Sequence, residues 1–259
     1  MAQMMLPDSD VEPLPWDGPF EYIRCSKALT KSNTGRREWS LNPYKGCEHG
    51  CVYCFAPGYL HTGIEGWRIV KVKTNIADRL AKEIDSTEGP IGLGTVTDAY
   101  QAAEGRFMLS RRCLEIIKAK RRKVFVITKS PLVLRDMDLL RTMDSSVSVS
   151  ITNVDPRACK MTEPGAPSVE ERLRTVRTLI ENGIETTVFI MPIMSLLEGH
   201  EGELVDRIAD AGVTKVFLSQ YHPMGPPDQD RMRAMGIGPS RKAEAEIRRL
   251  CTARGIDAE

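Results

Sequence analysis

Residues 124–151 read Val124-Phe-Val-Ile-Thr-Lys-Ser-Pro-Leu-Val-Leu-Arg-Asp-Met-Asp-Leu-Leu-Arg-Thr-Met-Asp-Ser-Ser-Val-Ser-Val-Ser-Ile151. Two short runs inside this stretch, Val124 to Thr128 and Val147 to Ile151, carry no charge and are rich in β-branched residues. That is the composition of strands buried on both faces. Outward from them, runs rich in Val, Ile, Leu or Phe with few charges recur at Ile91 to Val96, Thr187 to Met191 and Lys215 to Ser219, and a further short run, Glu38 to Leu41, precedes them without that composition. Helical spacing fills the gaps: Ile76, Leu80 and Ile84 share one face, as do Val169, Leu173, Val176 and Ile180. Ser168 with Glu171 reads as a capping box at the start of the second of these helices, and Gly183 can close it. Leu204, Val205 and Ile208 repeat the pattern before Gly212.

Six strands separated by helices imply a parallel sheet with right-handed crossovers. Six units are too few for a closed eight-stranded barrel. The expected fold is therefore α/β, a partial (β/α)6 TIM-type barrel of parallel strands, with a doubly wound sheet as the second choice. Either arrangement gathers chemistry at the C-terminal ends of the strands. Residues 1–35, with Pro7, Pro13, Pro15 and Pro19 and the acids Asp8, Asp10 and Glu12, read as an N-terminal arm. Residues 36–225 hold the barrel, and 226–259 form a C-terminal extension with a helix from Arg241 to Arg254.

The chain has 259 residues, 41% hydrophobic and 27% charged, as expected of a soluble domain with a full core. Its 36 Lys and Arg nearly balance 35 Asp and Glu, which gives no support for nucleic acid as a partner. The basic run Lys118 to Lys123 lies at a helix C-terminus, where cations suit the dipole. No run approaches a membrane span, and residues 1–18 lack the apolar core of a secretory signal, so the expected location is the cytoplasm. Seven cysteines, three of them within eight residues, suit metal binding in a reducing compartment better than a disulfide framework.

Those three lie in Asn42-Pro-Tyr-Lys-Gly-Cys47-Glu-His-Gly-Cys51-Val-Tyr-Cys54. The spacing is C-x3-C-x2-C. Three thiolates can hold three irons of a cubane and leave the fourth open, which distinguishes a catalytic centre from a structural one. A structural zinc site would need a fourth ligand. His49 and His61 are candidates, but the second cysteine pair of a zinc ribbon is absent.

With Tyr53 before the last cysteine, this stretch resembles the signature of the radical S-adenosylmethionine (SAM) superfamily. The run Ser40 to Ala56 is similar to the spore photoproduct lyase-like branch. So are Gly94-Thr-Val-Thr-Asp-Ala-Tyr-Gln101, Ile127-Thr-Lys-Ser130 and Glu163-Pro-Gly-Ala-Pro-Ser168, in the same order. The likeness covers most of residues 20–225. It implies a partial barrel with a [4Fe–4S] cluster on Cys47, Cys51 and Cys54 and with SAM chelating the open iron. It also implies reductive cleavage to a 5′-deoxyadenosyl radical, hydrogen abstraction from a substrate, and an electron donor such as flavodoxin or ferredoxin.

The resemblance further assigns Tyr53 to the adenine, and Thr95, Thr97 and Asp98 to the methionine amino group. Lys129 falls to the carboxylate, and Ser150 and Asn153 to the ribose. For Asp98 a helix N-cap is the competing role. Tyr100, Gln101 and Gln220 are substrate-side candidates, and Tyr221, His222 and Cys159 are catalytic candidates. Cys159 and Cys25 read as loop-placed thiols able to return a hydrogen atom. Cys113 and Cys251 read as helical core residues. Many relatives carry Arg where Gly165 stands, so the task of that cation is missing or moved here. The expected substrate is a small molecule, a nucleoside, sugar or amino-acid derivative. A DNA photoproduct lyase would need a basic groove and a hairpin, and a non-enzymatic iron–sulfur sensor would make no 5′-deoxyadenosine.

Overall fold

The computed structural model describes residues 20–32, 38–223 and 225–259. The strands are β1 (Phe20–Ile23), β2 (Leu29–Lys31), β3 (Trp39–Leu41), β4 (Tyr44–Lys45), β5 (Val70–Lys73), β6 (Ile91–Leu93), β7 (Val124–Thr128), β8 (Ser145–Ser150), β9 (Glu185–Ile193), β10 (Lys215–Gln220) and β11 (Asp257–Ala258). The six strands expected from the sequence are β3, β6, β7, β8, β9 and β10. They lie side by side in that order, all parallel. Two further strands flank them: β2, antiparallel to β3, and β11, parallel to β10. The sheet stays open among the described residues, as in a partial TIM-type barrel.

The strand boundaries shift where side chains compete for the backbone. The run Ile91 to Val96 stops at Leu93: Gly94 turns the backbone at φ +83°, and Asn42 Oδ1 then takes the N–H groups of Val96 (3.0 Å) and Thr97 (3.4 Å). In β8 the serines alternate with Val147 and Val149, and the strand is buried on both faces from Val147 onward. Ser148 meets Thr187 of β9 at 2.8 Å, so its hydroxyl does not go unsatisfied in the core.

Helices cover the sheet. After the cysteine loop come α1 (Ala56–Tyr59) and α2 (Gly63–Arg68), then α3 (Ile76–Glu83), α4 (Ala102–Phe107), α5 (Leu109–Ala119) and α6 (Met137–Leu140). Next are α7 (Pro156–Thr162), α8 (Val169–Glu181), α9 (Glu201–Asp210), α10 (Pro226–Ala234) and α11 (Arg241–Ala253). The capping box of α8 is formed on both sides, Ser168 to the Glu171 N–H and Glu171 to the Ser168 N–H. Arg122 of the basic run reaches the carbonyls of Ile84, Thr87 and Gly89, and Lys123 faces Asp144, so these cations tie loops together.

The segment read as an arm holds structure in its described part. β1 pairs with β5 of a small second sheet, ordered β1-β5-β4, and β2 extends the main one. Phe20 packs edge-on against Phe107 at 5.1 Å, and one Glu83 carboxylate oxygen accepts the N–H groups of Ala28 and Leu29. These contacts come from residues 50 or more positions away, which a proline count cannot register. The prolines themselves, Pro7 to Pro19, lie outside the described residues. At the other end, Ile247 and Cys251 of α11 are fully buried in the main core, as is Cys113 of α5. A smaller apolar cluster of Tyr53, Met194, Tyr221, Met232 and Ile237 joins the cysteine loop to the ends of β9 and β10 and to α10.

Candidate active site

The cysteine loop leaves β3 and turns over the C-terminal ends of the strands. Gly46 has φ +97°, and a Cβ there would stand 2.5 Å from the Ile69 carbonyl oxygen, so only glycine fits. The Cys47 N–H donates to the Trp67 carbonyl at 3.2 Å and the Val52 N–H to that of Thr162 at 2.9 Å. Cys47, Cys51 and Cys54 are half-buried and line one cavity of ≈ 390 Å³, a volume in the range of cofactor sites. None of the seven cysteines is in a disulfide. Burial pushes the Cys47 thiol well up and that of Cys51 to about 12, so a metal bound there would have to displace their protons. Among the described residues no three of His, Cys, Asp and Glu converge as around a single ion. A cubane asks for something different, since each thiolate holds its own iron.

The cavity brings together most of the residues singled out above. Tyr53, Thr95, Thr97, Asp98, Lys129, Ser150, Gln220, Tyr221 and His222 all line it. Asp98 is heavily engaged: it accepts from Thr128 Oγ1 (2.7 Å), the Tyr100 N–H (2.8 Å) and the Lys129 N–H (2.8 Å), and faces His49 Nδ1 at 3.4 Å. It is not a helix cap; Gln101 stands at the N-cap of α4. Five residues singled out by the sequence fall elsewhere. Tyr100 is fully buried and donates its hydroxyl to Asp136 (3.0 Å) in a structural network with Arg135 and Glu104. Gln101 is also fully buried, against the cysteine loop. The Asn153 amide donates to the Leu196 carbonyl (2.8 Å), and its oxygen turns the backbone at Val154 and Asp155. Cys159 sits on helix α7, not on a loop, with its Sγ 3.4 Å from the Asn153 carbonyl. Cys25 lines a separate surface cleft beside Asn75.

Beneath Tyr53 lies a group of charges. Glu163, fully buried, pairs with Arg172 Nη2 (2.5 Å), faces Lys129 Nζ (3.9 Å), and accepts from Thr152 Oγ1 (3.0 Å) and the Tyr53 hydroxyl. Burial alone would raise the Glu163 carboxyl, but Lys129 and Arg172 hold it down to about 2. Burial lowers the His49 imidazole. Burial also pulls the Lys129 ammonium down, but Cys51 and Glu163 carry it above its ordinary value. The sequence offers His49 only as a zinc ligand and Glu163 only as part of a motif, and it does not single out Arg172. One signal did exist: Arg172 stands on the same face of α8 as Val169, Leu173 and Val176, an odd place for a charge.

Gly165 now has a reason. Its N–H donates to the His49 carbonyl at 3.0 Å, and a Cβ would meet the Glu48 carbonyl oxygen at 2.3 Å, so no arginine fits there. The buried guanidinium at this site is that of Arg172, on Glu163.

The model of the Radical SAM superfamily matches residues 41–197, more than half of the chain. The chain belongs to the radical SAM superfamily. It is therefore an enzyme, and a [4Fe–4S] cluster and SAM are its cofactors. An uncharacterized protein of Methanocaldococcus jannaschii is 34% identical over 77% of this chain and 74% of its own length. One of Mycobacterium tuberculosis is 31% identical over 80% of this chain and 66% of its own. A radical SAM Nα-GlyT isomerase of Pseudomonas phage M6 is 24% identical over 68% and 38% respectively. Among solved structures, spore photoproduct lyase complexed with dinucleoside spore photoproduct superposes with TM-score 0.71. It shares 16% identity over 92% of this chain and 81% of its own, a likeness of fold. The donor set suits the radical SAM cofactors: three thiols at one end of a cavity, the cation of Lys129 on its wall, and Tyr53 and Phe55 as aromatic surface. No helix among the described residues is long and apolar enough to cross a membrane.

Proposed function

We propose that this radical SAM enzyme holds its cluster through Cys47, Cys51 and Cys54 and takes a hydrogen atom from a small-molecule substrate, a nucleoside, sugar or amino-acid derivative. The observation that carries the reading is the meeting of the three cysteines and the ends of β6, β7, β8, β9 and β10 around one cavity. The bound cofactors supply a 5′-deoxyadenosyl radical by reductive cleavage of SAM.

The chain's own residues position and shield. Cys47, Cys51 and Cys54 would hold three irons of a cubane and would leave the fourth open to SAM. Lys129, kept charged by Glu163 and Cys51, offers the cation for that carboxylate. Thr95, Asp98 and Ser150 offer acceptors along the strand ends, and Tyr53, held by Glu163, offers a fixed ring. On the β10 side stand Gln220, Tyr221 and His222. The Gln220 amide donates to the Ser240 carbonyl and to Glu244, while its Oε1 is buried with no hydrogen-bond partner among the described residues, an acceptor left for substrate. The apolar cluster around Met194, Met232 and Ile237 keeps water from the loop. The electron comes from a flavodoxin- or ferredoxin-type donor, and the cytoplasm supplies the reducing setting.

The test is anaerobic. The protein is reconstituted with iron and sulfide, reduced with dithionite, and given SAM, and 5′-deoxyadenosine is measured by mass spectrometry. Formation by the wild type and none by Cys51→Ala is the expected result. No product from a protein carrying about four irons would overturn the reading in favour of a sensor or electron carrier.

A further inference from the structure

We infer that Gln101 is a positioning residue for the cluster: with Thr97 it clamps the peptide groups on both sides of Cys47 and so fixes where that thiolate points. The inference rests on the assignment of Cys47 as an iron ligand. It replaces the substrate contact that the position of Gln101 after a strand end suggests.

The geometry is specific. Gln101 is fully buried and does not line the cavity. Its Oε1 accepts the N–H of Glu48 at 2.9 Å. Its Nε2 donates to the Gly46 carbonyl at 3.2 Å and to Thr97 Oγ1 at 3.1 Å. Thr97 Oγ1 in turn donates to the same Gly46 carbonyl. The residues held are the two neighbours of Cys47. Both amide hydrogens of Gln101 are used, so the side chain has no donor left for a substrate.

The orientation of the amide follows from its partners. The Glu48 N–H requires an acceptor and the Gly46 carbonyl requires a donor. Turning the amide over would set donor against donor and acceptor against acceptor. Of the residues of this length only glutamine offers both. Glutamate keeps the acceptor but puts a carboxylate oxygen against a carbonyl in a buried place. Methionine keeps the length and loses all three bonds.

The Glu48 side chain closes the clamp from the loop side, since its Oε2 accepts the N–H of Ala103 at 2.7 Å. Residues 97–103 and the peptide groups around Cys47 thus form one hydrogen-bonded unit. The loop around Cys47 also has Gly46 in a left-handed conformation, so its backbone would not keep this shape unaided. Partners that orient a ligand from behind change metal retention by roughly 10–100-fold when lost.

The experiment compares wild type, Gln101→Met, Gln101→Glu and Thr97→Val as reconstituted, reduced holoenzymes. Three quantities are read: the rate at which iron is lost to a chelator, the electron paramagnetic resonance spectrum of the reduced cluster, and the thermal midpoint. The expected result is iron loss about 10–100-fold faster in both Gln101 variants, with altered spectra, and a smaller change in the same direction for Thr97→Val. Wild-type release and spectrum in Gln101→Met overturn the inference. So does a lowered midpoint with an unchanged spectrum, which would make Gln101 a packing residue. Should Gln101→Met fail to fold, Gln101→Glu and Thr97→Val carry the same test. A wild type that assembles no cubane overturns the cluster assignment itself, and that outcome is told apart because it needs no variant.

Discussion

Arg172 carries its charge with 1% of its side chain exposed, and Glu163 meets it with none. Such a pair contributes little over an apolar one, but removing Arg172 leaves the buried Glu163 with only the more distant Lys129, at 3.9 Å, as a counter-charge. Arg172→Met should therefore cost about 3–5 kcal/mol in urea unfolding of the apoprotein; a cost near zero would mean that water reaches Glu163. The same carboxyl sets an acid limit. Its pKa in the folded chain is about 2, below the ordinary value of 4.5. A depressed acid stabilises the fold fully above its unfolded value, and this contribution is lost as pH falls through the folded one. Stability should thus be level on this account above about pH 5 and decline toward pH 2. Unfolding midpoints of wild type and Glu163→Gln across that range check it: the slope between pH 4.5 and pH 2 should be shallower in the variant.

At the scale of the element, α8 shows local chemistry read correctly from local sequence. Ser168 and Glu171 satisfy two backbone donors at its start, and Gly183 follows its end with φ +74°. Ser168→Ala should lower stability by about 1 kcal/mol, the usual worth of such a cap, seen as a shifted denaturation midpoint with an unchanged slope. The helix also holds Arg172 under the cysteine loop, so looser capping should raise the exchange of its first-turn amides. The strand ends teach the reverse. The run that begins with β6 does not continue to Val96, because Asn42, some 50 residues earlier in the chain, claims the N–H groups of Val96 and Thr97. No window around Gly94 contains that information.

At the scale of the molecule, chain order and spatial order agree across the six central strands. The edges are what the sequence leaves open. One is covered by β2, from the segment read as an arm, and the other by β11, from the last residues of the chain. α11 packs against α9 and β10 through Ala243, Ile247 and Cys251, each fully buried. The C-terminal extension is therefore part of the core. Ile247→Ala should cost about 2–5 kcal/mol, measured by urea unfolding, and a loss below 0.5 kcal/mol would mean that α11 is not part of the cooperative unit.

The amino-acid sequence by itself determined the fold class, the six parallel strands, the cap of α8 and the cysteine signature. Each is written in residues that are close in the chain: a hydrophobic period, a cap three residues wide, a C-x3-C-x2-C spacing. It also located most of the cavity wall, because strand ends in a parallel sheet converge by topology. Only the tertiary structure decided which side chains face that cavity. Tyr100 and Gln101 follow the same strand end as Asp98, yet Tyr100 turns to Asp136 and Gln101 to the peptide groups around Cys47. Arg172, on a helix, ends beneath the site with Glu163. The direction of a loop side chain and the partner of a buried charge depend on groups tens of residues away, brought near only when the chain has folded.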